Sequence, residues 1–314
     1  MTVTWTLPEH LRQLFSMEPS SSASTPALPH PGAAAPLPLQ WFAAVALAAV
    51  ICYRTAMETA ALSYSDSRYN YVLVGIAVVL VLIYQERDFL IGPTLRNDIR
   101  GAVLAGAGIV ANLALTYGAD VELYWRYLGL AAAWIGALWY LHGVESLREG
   151  MFQVIMLVAS APLPEAWIHG FEVFLQHASA EVSDVIFQML GTPVYREGLV
   201  FALPGLNIEV ARECSGMRST TALIMVVAVC AHLLLRRTGS KALMLFLTIP
   251  VGIIKNAVRI VILAWLGSNV SAGYLDGPLH KQGGPLFTLT AVALLGPTLW
   301  LLMRSEKRQQ QQQR

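Results

Sequence analysis

The chain has 314 residues, 55% of them hydrophobic and only 13% charged, with a mean hydropathy of +0.54. Soluble domains carry roughly a quarter charged residues, so this composition excludes an ordinary soluble domain and indicates a polytopic membrane protein. A net charge of +1 with no basic patch excludes a nucleic-acid partner, and three cysteines, Cys52, Cys214 and Cys230, exclude a disulfide framework.

Residues 1–38 are rich in Ser, Pro and Ala and read as a disordered cytoplasmic leader. No cleavable signal peptide is apparent, so the apolar segment that follows reads as an uncleaved anchor. A spanning helix needs roughly 20 mainly apolar residues. Segments 39–57, 71–85, 101–118, 124–143, 217–236, 241–266 and 285–303 meet this requirement. Segment 151–168 meets it less well, because Pro162 and Pro164 interrupt it; it either ends early, re-enters or crosses. The expected fold is therefore an all-α transmembrane bundle of about eight spans.

Lys and Arg in short loops set the orientation. Arg87, Arg96 and Arg100 follow the second span, Arg236, Arg237 and Lys241 the sixth, and Arg304, Lys307 and Arg308 the last. With eight spans these clusters share one side, which places both termini in the cytoplasm. In the first outer loop, Asp66, Arg68 and Tyr69 read as a solvated segment or a substrate entrance. The longest outer loop is then about 169–216. Its first part, FEVFLQHASAEVSDVIFQMLG, suits a helix lying along the membrane surface. Val200, Ala202, Leu206, Ile208 and Val210 in its second part suit a short extended segment. The domain reading is a leader (1–38), N-terminal transmembrane helices (39–144), a cysteine-bearing membrane domain (145–303) and a polar cytoplasmic tail (304–314).

Three residues stand out by chemistry and by side. Cys214, in RECSGMRS, lies at the outer, N-terminal end of the sixth span. Unpaired N–H groups and the positive end of the helix dipole there favour a thiolate and an oxyanion. Ser215 and Gly216 suit a tight turn into the helix, with Gly216 permitting close approach of a substrate backbone, and Arg218 lies one turn on. Arg259 lies 18 residues beyond Lys241, about 27 Å along a helix and near the outer edge of a ~30 Å core. It reads as a functional arginine or as one snorkelling to the interface. Asn256 shares its helix face, and Lys255 either reaches upward or shifts the span. His280 precedes the last span, again outside. A thiol, an imidazole and a guanidinium suit acyl transfer: the base activates sulfur, the acid protonates a leaving amine, and the guanidinium holds an oxyanion or carboxylate. No Cys/His cluster has metal-ligand spacing, so neither metal nor other cofactor is expected.

The order ECSGMRS, then Asn256-Ala257-Val258-Arg259, then His280 with Gly283-Gly284 before the last span, resembles the exosortase/archaeosortase family over about residues 145–303. The resemblance implies a polytopic cysteine transpeptidase of the inner membrane, active on its extracytoplasmic face. It implies Cys214 as nucleophile, Arg259 as the essential arginine and His280 as acid/base. The implied partners are exported proteins ending in a short motif such as Pro-Glu-Pro, a transmembrane helix and a basic cluster. Two other readings remain open on sequence: a protease that hydrolyses without transfer, and a transporter or structural protein whose Asn256, Arg259 and His280 line a polar path.

Overall fold

The computed structural model describes residues 50–86, 97–118, 120–271, 273 and 284–312. Helix α1 (Tyr53–Ser65) leads through a 3-10 turn (Ser67–Tyr69) into α2 (Asn70–Gln85). Helices α3 (Ile99–Tyr117) and α4 (Leu123–His142) follow, then the short α5 (Val144–Glu149) and α6 (Met151–Ala159). After a break comes α7 (Glu165–Met189), followed by strands β1 (Tyr195–Glu197), β2 (Val200–Leu203) and β3 (Leu206–Glu209). A second 3-10 turn, Arg212–Cys214, precedes α8 (Met217–Leu234), α9 (Thr238–Asn269) and α10 (Gly284–Gln312).

Among the described residues, five helices are long and apolar enough to cross a membrane: Ser67–Gln85, Ile99–Tyr117, Met217–Leu234, Thr238–Asn269 and Phe287–Gln312. An all-α membrane protein is thus the right class, with a small sheet added. The expected span at 39–57 lies largely outside the described residues; the part described belongs to a helix that runs on to Ser65. Segment 151–168 is not one helix. Pro162 and Pro164 divide it into the nine-residue α6 and the start of α7, because proline supplies no N–H to the ladder and its ring disfavours a helical predecessor.

Helices α3 and α4 meet along a glycine seam. A methyl group at Gly101, Gly108 or Gly136 would lie 2.2–2.5 Å from the facing backbone, so the two main chains are in contact. Asn112 extends the seam, donating to Thr55 Oγ1 (2.9 Å) and to the Arg126 carbonyl (2.7 Å). Arg126, set within apolar α4, pairs with Glu58 of α1 at 2.7 Å. The Pro162–Pro164 break is equally held. Tyr71 donates to the Ala161 carbonyl and accepts from the Leu163 N–H, while Arg68 bridges Asp66 and Glu165. The Asp66–Tyr69 loop is therefore fastened to the start of α7.

The site is positioned by α7, α9 and the sheet. Ser179, Ala180, Ser183 and Phe187 form a buried stripe on α7, small enough to bring it close to Ala257, Ile260, Val261 and Ala264 of α9. This segment buries one face against a neighbouring helix where sequence suggested a helix lying on the membrane surface. The extended segment expected at 200–210 forms the second and third strands of an antiparallel meander, order β1-β2-β3. Phe201, Leu203 and Val210 bury against the α7–α9 pair, with Phe201 and Phe187 ring centroids 5.5 Å apart. Arg196 fastens β1 to α7 through Glu181 at 2.8 Å, and its guanidinium holds that carboxyl below the usual carboxylate range.

Candidate active site

Strand β3 runs straight into the turn that bears Cys214. The Val210 carbonyl accepts from the Gln176 side chain of α7, which anchors the strand's end. Cys214 N–H donates to the Ala211 carbonyl (2.9 Å) and Ser215 N–H to the Arg212 carbonyl (3.0 Å). Gly216 then adopts φ +78°, and α8 begins at Met217, whose N–H donates to the Ser215 hydroxyl at 3.3 Å. Cys214 thus lies at the N-terminal end of an apolar helix, as its sequence position indicated, and is half-buried beside the α7–α9 core.

Helix α9 faces this turn in antiparallel register with α8. A methyl on Gly252 would lie 3.0 Å from the Thr220 side chain, and one on Gly216 would lie 2.8 Å from Asn256 Cγ. Continuing that register brings Arg259 level with Cys214, and the two interact electrostatically, as do Arg259 and Arg218. Asn256, only 2% exposed, donates to the Cys214 carbonyl at 2.7 Å and to Ser179 Oγ at 3.1 Å. One amide therefore ties α9 to both the cysteine turn and α7.

The structure brings Cys214, Ser215, Gly216, Arg218, Asn256 and Arg259 into one neighbourhood; His280 lies outside the described residues. Arg218 is exposed on the first turn of α8. Ser215 is 2% exposed and Gly216 is buried against Asn256, so both support the turn, and the close approach expected of a substrate is made instead by Asn256. Sequence reasoning missed Ser179 and Gln176, legible only as part of a polar and small-residue stripe at helical spacing, and Ser219, which accepts from Lys255. Among the described residues no set of three His, Cys, Asp or Glu side chains converges to hold a metal.

A family model described as transmembrane exosortase matches residues 63–296. The chain belongs to the transmembrane exosortase family. No curated protein and no solved structure matches it. As a member it is a membrane-embedded sorting enzyme at the level of the family, which sets aside the transporter reading. The exosortase match takes in α2 to α9 entire, so it covers the N-terminal helices as well as the cysteine-bearing half, and it includes Cys214, Asn256, Arg259 and His280.

Proposed function

We propose that this exosortase is a cysteine transpeptidase of the inner membrane that works on the extracytoplasmic face. Its substrates are exported proteins ending in a short sorting motif, such as Pro-Glu-Pro, followed by a transmembrane helix and a basic cluster. The observation that carries this reading is the register of α8 and α9, in which Asn256 donates to the Cys214 carbonyl at 2.7 Å and Arg259 follows less than one turn further along α9. Helix N-termini and neighbouring cations both favour a thiolate over a thiol.

The sulfur attacks the carbonyl carbon of the scissile peptide, and the carbonyl oxygen takes up the negative charge. The N–H groups of Cys214, Ser215 and Met217 already donate to Ala211, Arg212 and the Ser215 hydroxyl. The Arg259 guanidinium, a cation with a rigid fork of donors, is the group we assign to the oxyanion, beside the remaining N–H groups of the first turn of α8. The C–N bond then breaks, the departing amine takes a proton from His280, and a thioester on Cys214 remains. A second nucleophile resolves that thioester. An amine-bearing acceptor gives transfer and water gives hydrolysis; mass spectrometry of the new C-terminus tells an adduct from a free carboxylate.

The deciding experiment is Cys214→Ala in cells that express a tail-anchored substrate. Full-length substrate accumulates while the variant reaches the membrane at parental levels. Normal processing by that variant overturns the assignment.

A further inference from the structure

Lys255 is buried in α9, 3% exposed, one turn before Arg259. Its ammonium donates to Ser219 Oγ at 2.6 Å, and the Ser219 hydroxyl donates to the Gly216 carbonyl at 3.0 Å. A serine and a lysine this close invite comparison with a nucleophilic pair, in which the lysine takes the hydroxyl proton. The bonds run the other way. The lone pair of Ser219 faces the ammonium and its proton faces a backbone oxygen, so Ser219 is a relay and not a nucleophile. Through it, Lys255 grips the Gly216 carbonyl while the adjacent Asn256 grips the Cys214 carbonyl directly. Two consecutive residues of α9 thereby hold both ends of the turn on which the sulfur is mounted.

A buried ammonium is costly to retain for packing alone, because a well-packed apolar side chain is often equally stable or more so. Its setting gives the charge a use. Arg259 is its electrostatic neighbour, and Arg259 in turn interacts with Cys214 and Arg218. From α7, the residues reaching this turn and Asn256 are the neutral Gln176 and Ser179. Glu172 lies buried one turn earlier on that stripe, Glu181 is held by Arg196, and Asp184 accepts from Gln188. His177 is exposed, as are Glu209 at the end of β3 and Arg212 in the cysteine turn.

We propose that Lys255 is a positioning residue for Cys214: it fixes the Gly216 turn through Ser219 and joins its charge to that of Arg259, so that the sulfur rests as a thiolate. The proposal builds on the reading of Cys214 as nucleophile. The thiol then needs no separate base for its activation, and His280 is left to protonate the leaving amine.

The test is the pH dependence of N-ethylmaleimide alkylation of Cys214 in the full-length protein in membranes, with Cys52 and Cys230 replaced by alanine. Lys255→Met and Lys255→Gln, which both remove the charge, are expected to move the midpoint upward by about one pH unit, which slows alkylation below the midpoint by about tenfold. Lys255→Arg, which keeps the charge, is expected to stay near the parental midpoint. On substrate, the first two variants lower kcat while KM holds. An unchanged midpoint in Lys255→Met and Lys255→Gln overturns the proposal even if processing falls; should Lys255→Met not accumulate, Lys255→Gln decides alone. Alkylation requires no substrate, so this failure is distinct from that of the parent reading, which normal processing by Cys214→Ala would reveal.

Discussion

At Gly216 two constraints coincide. Its φ of +78° lies in the left-handed region, costing a residue with a Cβ about 1–2 kcal/mol. Its missing side chain is also the space into which Asn256 packs, 2.8 Å from where a methyl carbon would stand. Gly205 has the same backbone sign, φ +79°, but open space around it. Gly205→Ala is therefore expected to incur only the backbone cost, leaving processing near parental. Gly216→Ala must also displace the amide that holds the Cys214 carbonyl, and is expected to reduce processing by tenfold or more; equal processing by the two variants would refute the role given to this turn. Cys214 and Gly216 stood out in sequence because they lie in a charged, turn-forming stretch at the edge of an apolar run, and Arg259 because it interrupts one where a break is expensive. Lys255 was visible for the same reason but unplaceable, since its partner Ser219 reads as an ordinary first-turn serine until α8 and α9 are set in register.

Helices with similar hydropathy do different work here, and their small residues tell them apart. Gly108 and Gly106 are two residues apart on α3, yet a methyl on Gly108 would lie 2.5 Å from the Ala133 nitrogen whereas one on Gly106 meets nothing within 4 Å. Because backbone, not a movable side chain, opposes Gly108, Gly108→Val is expected to destabilise the protein by about 1–3 kcal/mol, against little for Gly106→Val. Thermal unfolding in detergent measures the difference. The α7 stripe carried a comparable signal, but a helix with Glu172, Gln176 and Ser179 on its buried face looks amphipathic in sequence and so resembles a surface helix. What reverses that reading is satisfaction of the polar groups by the site: Gln176 takes the Val210 carbonyl and Ser179 takes Asn256. The Asp66–Tyr69 loop was underestimated too, since its partner Glu165 is almost 100 residues away. Arg68 holds the Asp66 carboxyl below the usual carboxylate range, so the folded chain binds that proton less readily than the unfolded one. The tie contributes stability above about pH 4 and loses it as pH falls through the lower folded value. In Arg68→Gln, this part of the acid destabilisation is expected to vanish, giving a flatter melting temperature below about pH 4.

Across the whole molecule, the site is built by joining α7, the meander and the distal half of α9 onto the end of α8. The antiparallel register of α8 and α9 places Gly252 at Thr220 and Asn256 at Gly216, so the α9 residues beyond Asn256 continue past the first turn of α8. The same register puts Cys214 at one end of a membrane-length helix and leaves Cys230 near the other. Cys52 is 1% exposed, and Cys230 lines an apolar cleft of about 170 Å³ between α8, α9 and α10. Cys52 is thus buried and Cys230 set in an apolar cleft, whereas Cys214 is half-buried at the start of α8, which makes sidedness measurable. If basic loops mark the cytoplasm, a charged, membrane-impermeant maleimide added outside sealed, right-side-out vesicles at neutral pH labels Cys214 and spares Cys52 and Cys230. Inverted vesicles reverse the outcome: Cys214 is protected until detergent is added. Labelling of Cys214 only in inverted vesicles would put the thiol on the cytoplasmic side, where exported substrates present no folded domain to it. The convergence of Cys214, Asn256 and Arg259 would survive that result, but not the assignment of this site to the processing of exported proteins.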